Sequence, residues 1–198
     1  MAIKRIVLGN GAPHIAPDAI FSSNSSGLGL AEMAQSLPAD LRPRFLGTHF
    51  FNPPRYMKLF ELIPTPQTDP AVTSFVAAFA RGRLGKGVVL AKDTPNFLAN
   101  RVGVHALMAT VQAMDELGLS VEEIDALTGP AIGRPKTATF KLADLVGLDT
   151  FVHVAENLYP LIPDDEARDA FKIPDYLHKM VEKGLLGRKS GAGFYKLE

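Results

Sequence analysis

The chain has 198 residues, 46% of them hydrophobic and 21% charged, and its 21 Lys plus Arg balance its 21 Asp plus Glu. A chain of this size can bury a sizeable core without staples, and zero net charge removes the electrostatic case for nucleic acid or an anionic membrane surface as the main partner. It has no cysteine, which excludes disulfides and thiolate chemistry, and no apolar run near the roughly 20 residues of a spanning helix, so the cytoplasm is the expected compartment.

The run Ile3 to Leu8 is branched and apolar and ends in Gly9-Asn10-Gly11, the outline of a first strand and a glycine turn. A dinucleotide-binding G-x-G-x-x-G must open a helix inside a βαβ unit, with an acidic residue about 20 positions further on. Ala12-Pro13-His14 and Pro17-Asp18 follow instead, so no phosphate-cradling helix is expected. A loosely ordered extension up to Ile15 is the other reading.

Ala19 to Ser23 reads as a strand, and Asn24-Ser25-Ser26-Gly27 as the turn beyond its carboxyl end, where open α/β sheets bind ligands. Turn chemistry alone also accounts for that composition. Leu28 to Gln35 reads as a short helix before the break at Pro38.

Arg44 to Phe51 and Lys58 to Ile63 are apolar runs rich in aromatic and branched residues, and Pro53-Pro54 between them can continue neither ladder. As neighbouring strands they bring together His49 and Glu61, twelve positions apart. Leu59, Glu61 and Ile63 share one face by period two, so the carboxylate stands among apolar neighbours and wants a partner. If that partner is His49, the carboxylate fixes the imidazole tautomer and supports a general base. A core histidine bonded to backbone, with a glutamate on a solvated strand edge, is the alternative.

Asp69 is placed to cap a helix with Pro70 at its first position and a stripe of Val72, Phe75, Val76 and Phe79 that should pack on the sheet. Gly87 to Ala91 reads as one more strand, and Asp93-Thr94-Pro95 marks a border. The expected organisation is an α/β part over 1–94 and an all-helical part over 95–198. From Phe97 to Leu117 apolar residues occupy more than one face, which predicts a buried helix. Asn100 near its start can project an amide toward the His49 strand, although capping or a solvated amide would equally explain it.

Ser120 and Glu123 fit a capping box. Asp149 can cap a helix with the stripe Phe151, Val154, Ala155 and Leu158, and Leu177, Met180 and Val181 form another stripe, all of them suited to core or dimer interface. Gly184 to Gly193 lacks P-loop spacing and reads as a structural tail. His14, His105, His153 and His178 have no partner at ligand-like spacing, so no metal is expected. The final Leu197-Glu198 carries no functional weight.

Thr48-His49-Phe50-Phe51-Asn52-Pro53, with Glu61 twelve residues after the histidine, resembles the active-site signature of the L-3-hydroxyacyl-CoA dehydrogenases. Further matches occur in order: Ser23-Asn24-Ser25-Ser26, then Lys92 to Phe97 leading to Asn100-Arg101, Leu142 to Asp149, and Gly187 to Tyr195. Together they span about Pro17 to Lys196. Ser25 replaces the family's usual Thr, Asn96 stands where Gly is common, and Gly133 to Phe140 looks most like forms fused to an enoyl-CoA hydratase module.

The resemblance implies a remnant of a Rossmann-type NAD-binding domain, short of its glycine-rich loop, followed by an all-α dimerisation domain. It implies NAD-dependent oxidation of L-3-hydroxyacyl-CoA to 3-oxoacyl-CoA in fatty acid beta-oxidation, with an acyl-CoA substrate and a homodimer. His49, Glu61 and Asn100 would be catalytic, Ser26 and Asn100 would contact substrate, and Asn24, Ser26 and Asn52 would contact the cofactor. Without the glycine loop NAD binding is expected to be impaired and the isolated chain weak or inactive. The competing expectation is a non-catalytic fragment that dimerises and touches acyl-CoA.

Overall fold

The computed structural model describes residues 1–196; the reading of Leu197-Glu198 lies outside them. Two compact units divide after Asn100. The first is built on a mixed four-stranded sheet in the order β1 (Phe21–Ser23), β2 (Phe45–Phe50), β3 (Leu59–Pro64), β4 (Gly87–Leu90). The outer pairs are parallel and β2 and β3 run antiparallel.

Alternation along the strands sends side chains to two cores. Phe45 and Ile63 point to one face, where they join Leu30 and Met33 of α2 (Leu30–Ala34), Leu37 and Phe97. Leu46, Phe60 and Leu62 point to the other, beneath α3 (Pro70–Gly82). Asp69 caps α3 by accepting from the Ala71 N–H at 2.7 Å, with Pro70 at the first helical position. Of the expected stripe on α3 only half faces the sheet. Val72, Val76 and Ala80 form the inward i, i+4, i+8 row, and the larger rings of Phe75 and Phe79 are left 63% and 47% exposed on the flank.

The N-terminal run is neither a strand nor a loose extension. Ala2–Gly11 form helix α1, because the residues that reach the core, Leu8 and Ala12, are four apart and fit a helical rather than a period-two face. Ile3, Ile6 and Val7, which suggested a strand, lie on its outer side. Arg5 on α1 is paired with Glu32 on α2.

Helix α4 (Ala99–Leu117) carries its buried residues Val104, Met108 and Val111 along one stripe, while Leu98 just before it, Val102 and Leu117 remain exposed. It is therefore buried along one side, although apolar residues occupy more than one of its faces. In the second unit α5 (Val121–Leu127) starts with the expected capping box: Ser120 Oγ accepts from the Glu123 N–H and Glu123 Oε2 from the Ser120 N–H.

Asp125 on α5 is buried and accepts the N–H groups of Thr139, Phe140 and Lys141 at the start of α6 (Phe140–Val146), so one helix caps another. Phe151, Ala155 and Leu158 of α7 (Leu148–Leu158) enter the core as expected. Asp149 does not cap α7. It sits in the first turn, where its carboxylate pairs with Lys189, and the cap position is Gly147. Leu177 of α8 (Asp175–Glu182) fills a second cluster with Val111, Ile124, Phe140 and Val152. The glycine-rich end is pinned to α6 by Asp144, which accepts the N–H groups of Phe194 and Tyr195, both at 2.9 Å.

Candidate active site

In the antiparallel register of β2 and β3, His49 stands opposite Glu61. Both side chains lie on the α2 face of the sheet, and His49 Nδ1 is 2.6 Å from Glu61 Oε2. The pair is almost sealed, with His49 5% and Glu61 0% exposed. Aromatic rings fix the imidazole from two sides: Phe51 at 4.5 Å between centroids and Phe97 at 5.6 Å, edge on.

The other carboxylate oxygen faces the start of α4. Glu61 Oε1 accepts from the N–H groups of Leu98 at 3.0 Å and Ala99 at 2.7 Å, donors with no intrahelical partner of their own. Burial pushes the Glu61 carboxyl up, but the hydrogen bonds from His49, Ala99 and Leu98 outweigh it, and the group lies below its ordinary value of 4.5. Glu61 is thus ionised at neutral pH and can only accept. The hydrogen at His49 is held on Nδ1, and the neutral ring keeps its free lone pair on Nε2.

A second wall comes from the turn beyond β1. Asn24 Oδ1 accepts from the Phe50 N–H at 2.9 Å and ties the turn to β2. Ser25 is buried and bonded to Ser23 at 2.9 Å, so the small change from Thr is absorbed away from solvent. Ser26 accepts at Oγ from Asn100 Nδ2 at 2.6 Å. The result is a cleft of about 580 Å³ lined by Asn24, Ser26, His49, Phe50, Asn52 and Asn100. Asn24, Ser26, His49, Asn52 and Asn100, the candidate site residues, all line this cleft, and Glu61 stands behind His49.

Sequence reasoning missed three features of the site. The first two are the N–H groups of Leu98 and Ala99, which carry no side-chain signature. The third is the backbone that presents them: Asn96 and Phe97 are both left-handed, with φ of 59° and 52°. Asn96 tolerates that region, and its departure from Gly was the one visible sign. Gly27, at φ 77°, packs against Asn96 so closely that a Cβ there would come within 2.3 Å of Asn96 Oδ1.

A dinucleotide would find two different settings here. The hydroxyl and amide groups at the carboxyl end of β1 and β2 suit a polar ring with a carboxamide. Gly9-Asn10-Gly11 does not suit a pyrophosphate. It forms the last turn of α1, and the next N–H, at Ala12, is already given to Leu8 O.

Residues 1–94 match the family model described as "3-hydroxyacyl-CoA dehydrogenase, NAD binding domain", and residues 97–197 match "3-hydroxyacyl-CoA dehydrogenase, C-terminal domain". A Bacillus subtilis protein named as a "3-hydroxyacyl-CoA dehydrogenase" is 50% identical over 198 residues, covering 100% of this chain and 25% of that protein. A Rickettsia felis "fatty acid oxidation complex trifunctional enzyme" is 37% identical over 198 residues, covering 100% of this chain and 28% of its own length. The chain therefore spans about a quarter of either relative. Among solved structures, (S)-3-hydroxybutyryl-CoA dehydrogenase from Ralstonia eutropha superposes with a TM-score of 0.88 at 31% identity, over 100% of this chain and 67% of that one.

Proposed function

This chain belongs to the 3-hydroxyacyl-CoA dehydrogenase family, and on that premise we propose that the His49 cleft is where an L-3-hydroxyacyl-CoA is oxidised to the 3-oxoacyl-CoA. The observation that carries this reading is the sealed His49–Glu61 pair, bonded through Nδ1, with His49 itself lining the cleft.

NAD, when bound, supplies the acceptor for the hydride that leaves C3. The residues of this chain do the rest. His49 Nε2 takes the proton of the 3-hydroxyl, and the charge that appears on the ring is stabilised by Glu61, already ionised before the reaction begins. Ser26 and Asn100, joined to each other, hold the substrate oxygen in line with Nε2. Asn24 and Asn52 supply polar contacts on the cofactor side of the cleft.

The same reading places the activity in fatty acid beta-oxidation, in the cytoplasm, in a homodimer formed through the helical part. No helix of the described residues is long and apolar enough to cross a membrane. The same reading holds that this chain alone is weakly active or inactive, which the closed turn at Gly9–Gly11 supports; the competing reading is a non-catalytic fragment that dimerises and contacts acyl-CoA. The test is NADH oxidation driven by acetoacetyl-CoA, comparing this chain, its His49→Ala variant and a longer form carrying a complete glycine-rich phosphate loop. Turnover by the longer form alone, abolished by His49→Ala, supports both statements. Turnover that survives His49→Ala in the longer form overturns the assignment of the base.

A further inference from the structure

Helix α2 does not cap itself. Its N-cap residue, Gly29, has no side chain to offer, and the cap comes from Asp93, just past the end of β4. Asp93 Oδ1 accepts from the Leu30 N–H at 2.9 Å and Oδ2 from the Ala31 N–H at 2.7 Å. A helix is usually capped by the residue that precedes it, whereas a cap brought from 63 positions further along also joins two distant segments of chain. We propose that Asp93 is a positioning residue for the reaction, holding the segment that presents Leu98 and Ala99 to Glu61 at a fixed distance from the Ser26 turn; the role rests on the use of His49 as the base.

The two segments meet at three levels. Nearest the cleft, Asn100 Nδ2 donates to Ser26 Oγ, and below it Gly27 packs against Asn96 with no room for a Cβ. Asp93 closes the far end. Its contact with α2 is the one that carries a charge, and a carboxylate facing two otherwise unpaired N–H groups makes stronger bonds than a neutral acceptor would.

Between these anchors the chain bends sharply. The Phe97 N–H donates to Thr94 O at 2.9 Å, and both Asn96 and Phe97 lie in the left-handed region. A backbone held there keeps its direction only while its surroundings fix it. Phe97 is packed in the same core as Leu30 and Met33, with its ring 5.6 Å from that of His49, and the next two N–H groups are the donors to Glu61 Oε1. Slack at Asp93 is thus passed to Glu61, and from Glu61 to the tautomer and orientation of His49.

The test follows the amide resonances of Leu30, Ala31, Leu98 and Ala99 and the Nδ1–H proton of His49 in the whole chain. Asp93→Glu keeps both carboxylate oxygens for α2 on an arm one methylene longer. Leu30 and Ala31 should stay protected from amide exchange, while the signals of Leu98, Ala99 and His49 shift. Asp93→Asn should move those same three signals and also expose Leu30 or Ala31; should it fail to fold, Asp93→Glu decides alone. Ser36→Ala removes the 2.6 Å bond from Ser36 Oγ to Met33 O at the other end of α2, and should leave the three signals in place. Signals that stay put in Asp93→Glu, or that move equally in Ser36→Ala, overturn the proposal. In the longer form, Asp93→Glu should lower kcat about ten- to a hundredfold with KM for acetoacetyl-CoA little changed, and a rise in KM alone would also overturn it. Turnover of the longer form that survives His49→Ala sinks the base assignment instead, while the resonances still report whether Asp93 holds the donors to Glu61.

Discussion

Glu61 Oε1 takes its shortest hydrogen bond from the backbone N–H of Ala99, 2.7 Å away and 38 positions along the chain. The carboxylate that orients His49 is therefore itself oriented by the start of α4. Glu61→Gln tests this relationship. A carboxamide can keep its oxygen on Leu98 and Ala99 only by turning its NH₂ toward His49, which then has to accept at Nδ1 and carry its hydrogen on Nε2. Nitrogen resonances of the imidazole should show this reversal in the chain as it stands. In a longer form that turns over acetoacetyl-CoA, kcat should fall about a hundred- to ten-thousandfold.

The depressed Glu61 carboxyl also sets a pH dependence. The folded state binds this proton less tightly than the unfolded chain does, so the stabilisation is complete above the ordinary value of 4.5 and is lost as pH falls through the lower folded value. Urea midpoints of the chain and of Glu61→Gln should keep a constant gap from neutral pH down to about 4.5 and converge below it. A gap that persists undiminished into stronger acid would contradict the assignment.

Gly27 and Asn96 should behave as a coupled pair. Gly27→Ala places a methyl group 2.3 Å from Asn96 Oδ1 on a backbone at φ 77°, and should cost about 1–3 kcal/mol. Asn96→Gly removes the clashing amide but not the backbone conflict, so the double variant should recover part of the loss. Denaturant unfolding of the four forms measures the coupling; strict additivity would show that the two residues do not meet.

Asp144 supports the tail of the second unit with two backbone hydrogen bonds. Asp144→Asn keeps one acceptor oxygen and turns an amide donor toward the other N–H. One of Phe194 and Tyr195 is then left unsatisfied, at a cost of about 1–3 kcal/mol. Amide exchange at both residues should accelerate while the His49 resonances stay unchanged.

Local chemistry made much of this structure legible. Pro53-Pro54 divided two strands, Asp69-Pro70 opened α3, and Ser120 with Glu123 opened α5, because each signal acts within a few residues of its own position. The pairing of His49 with Glu61 was reachable for the same reason: it joins consecutive strands. Long-range decisions were not. Whether Ile3 to Leu8 became strand or helix was decided by where Leu8 and Ala12 could pack against α2. The donors to Glu61 are main-chain groups that any residue carries, and Asp149 resembled a cap until Lys189, forty positions later, took its carboxylate.

The strand order adds a consequence for how the molecule comes to exist. Among the described residues each strand lies beside the one before it in the chain, so these four strands can pair in the order of synthesis. The shortest excursion between partners is the one from β2 to β3, and it is the pairing that brings His49 to Glu61. The His49–Glu61 contact can thus form in a nascent chain before α4 emerges to supply the last two hydrogen bonds to Glu61.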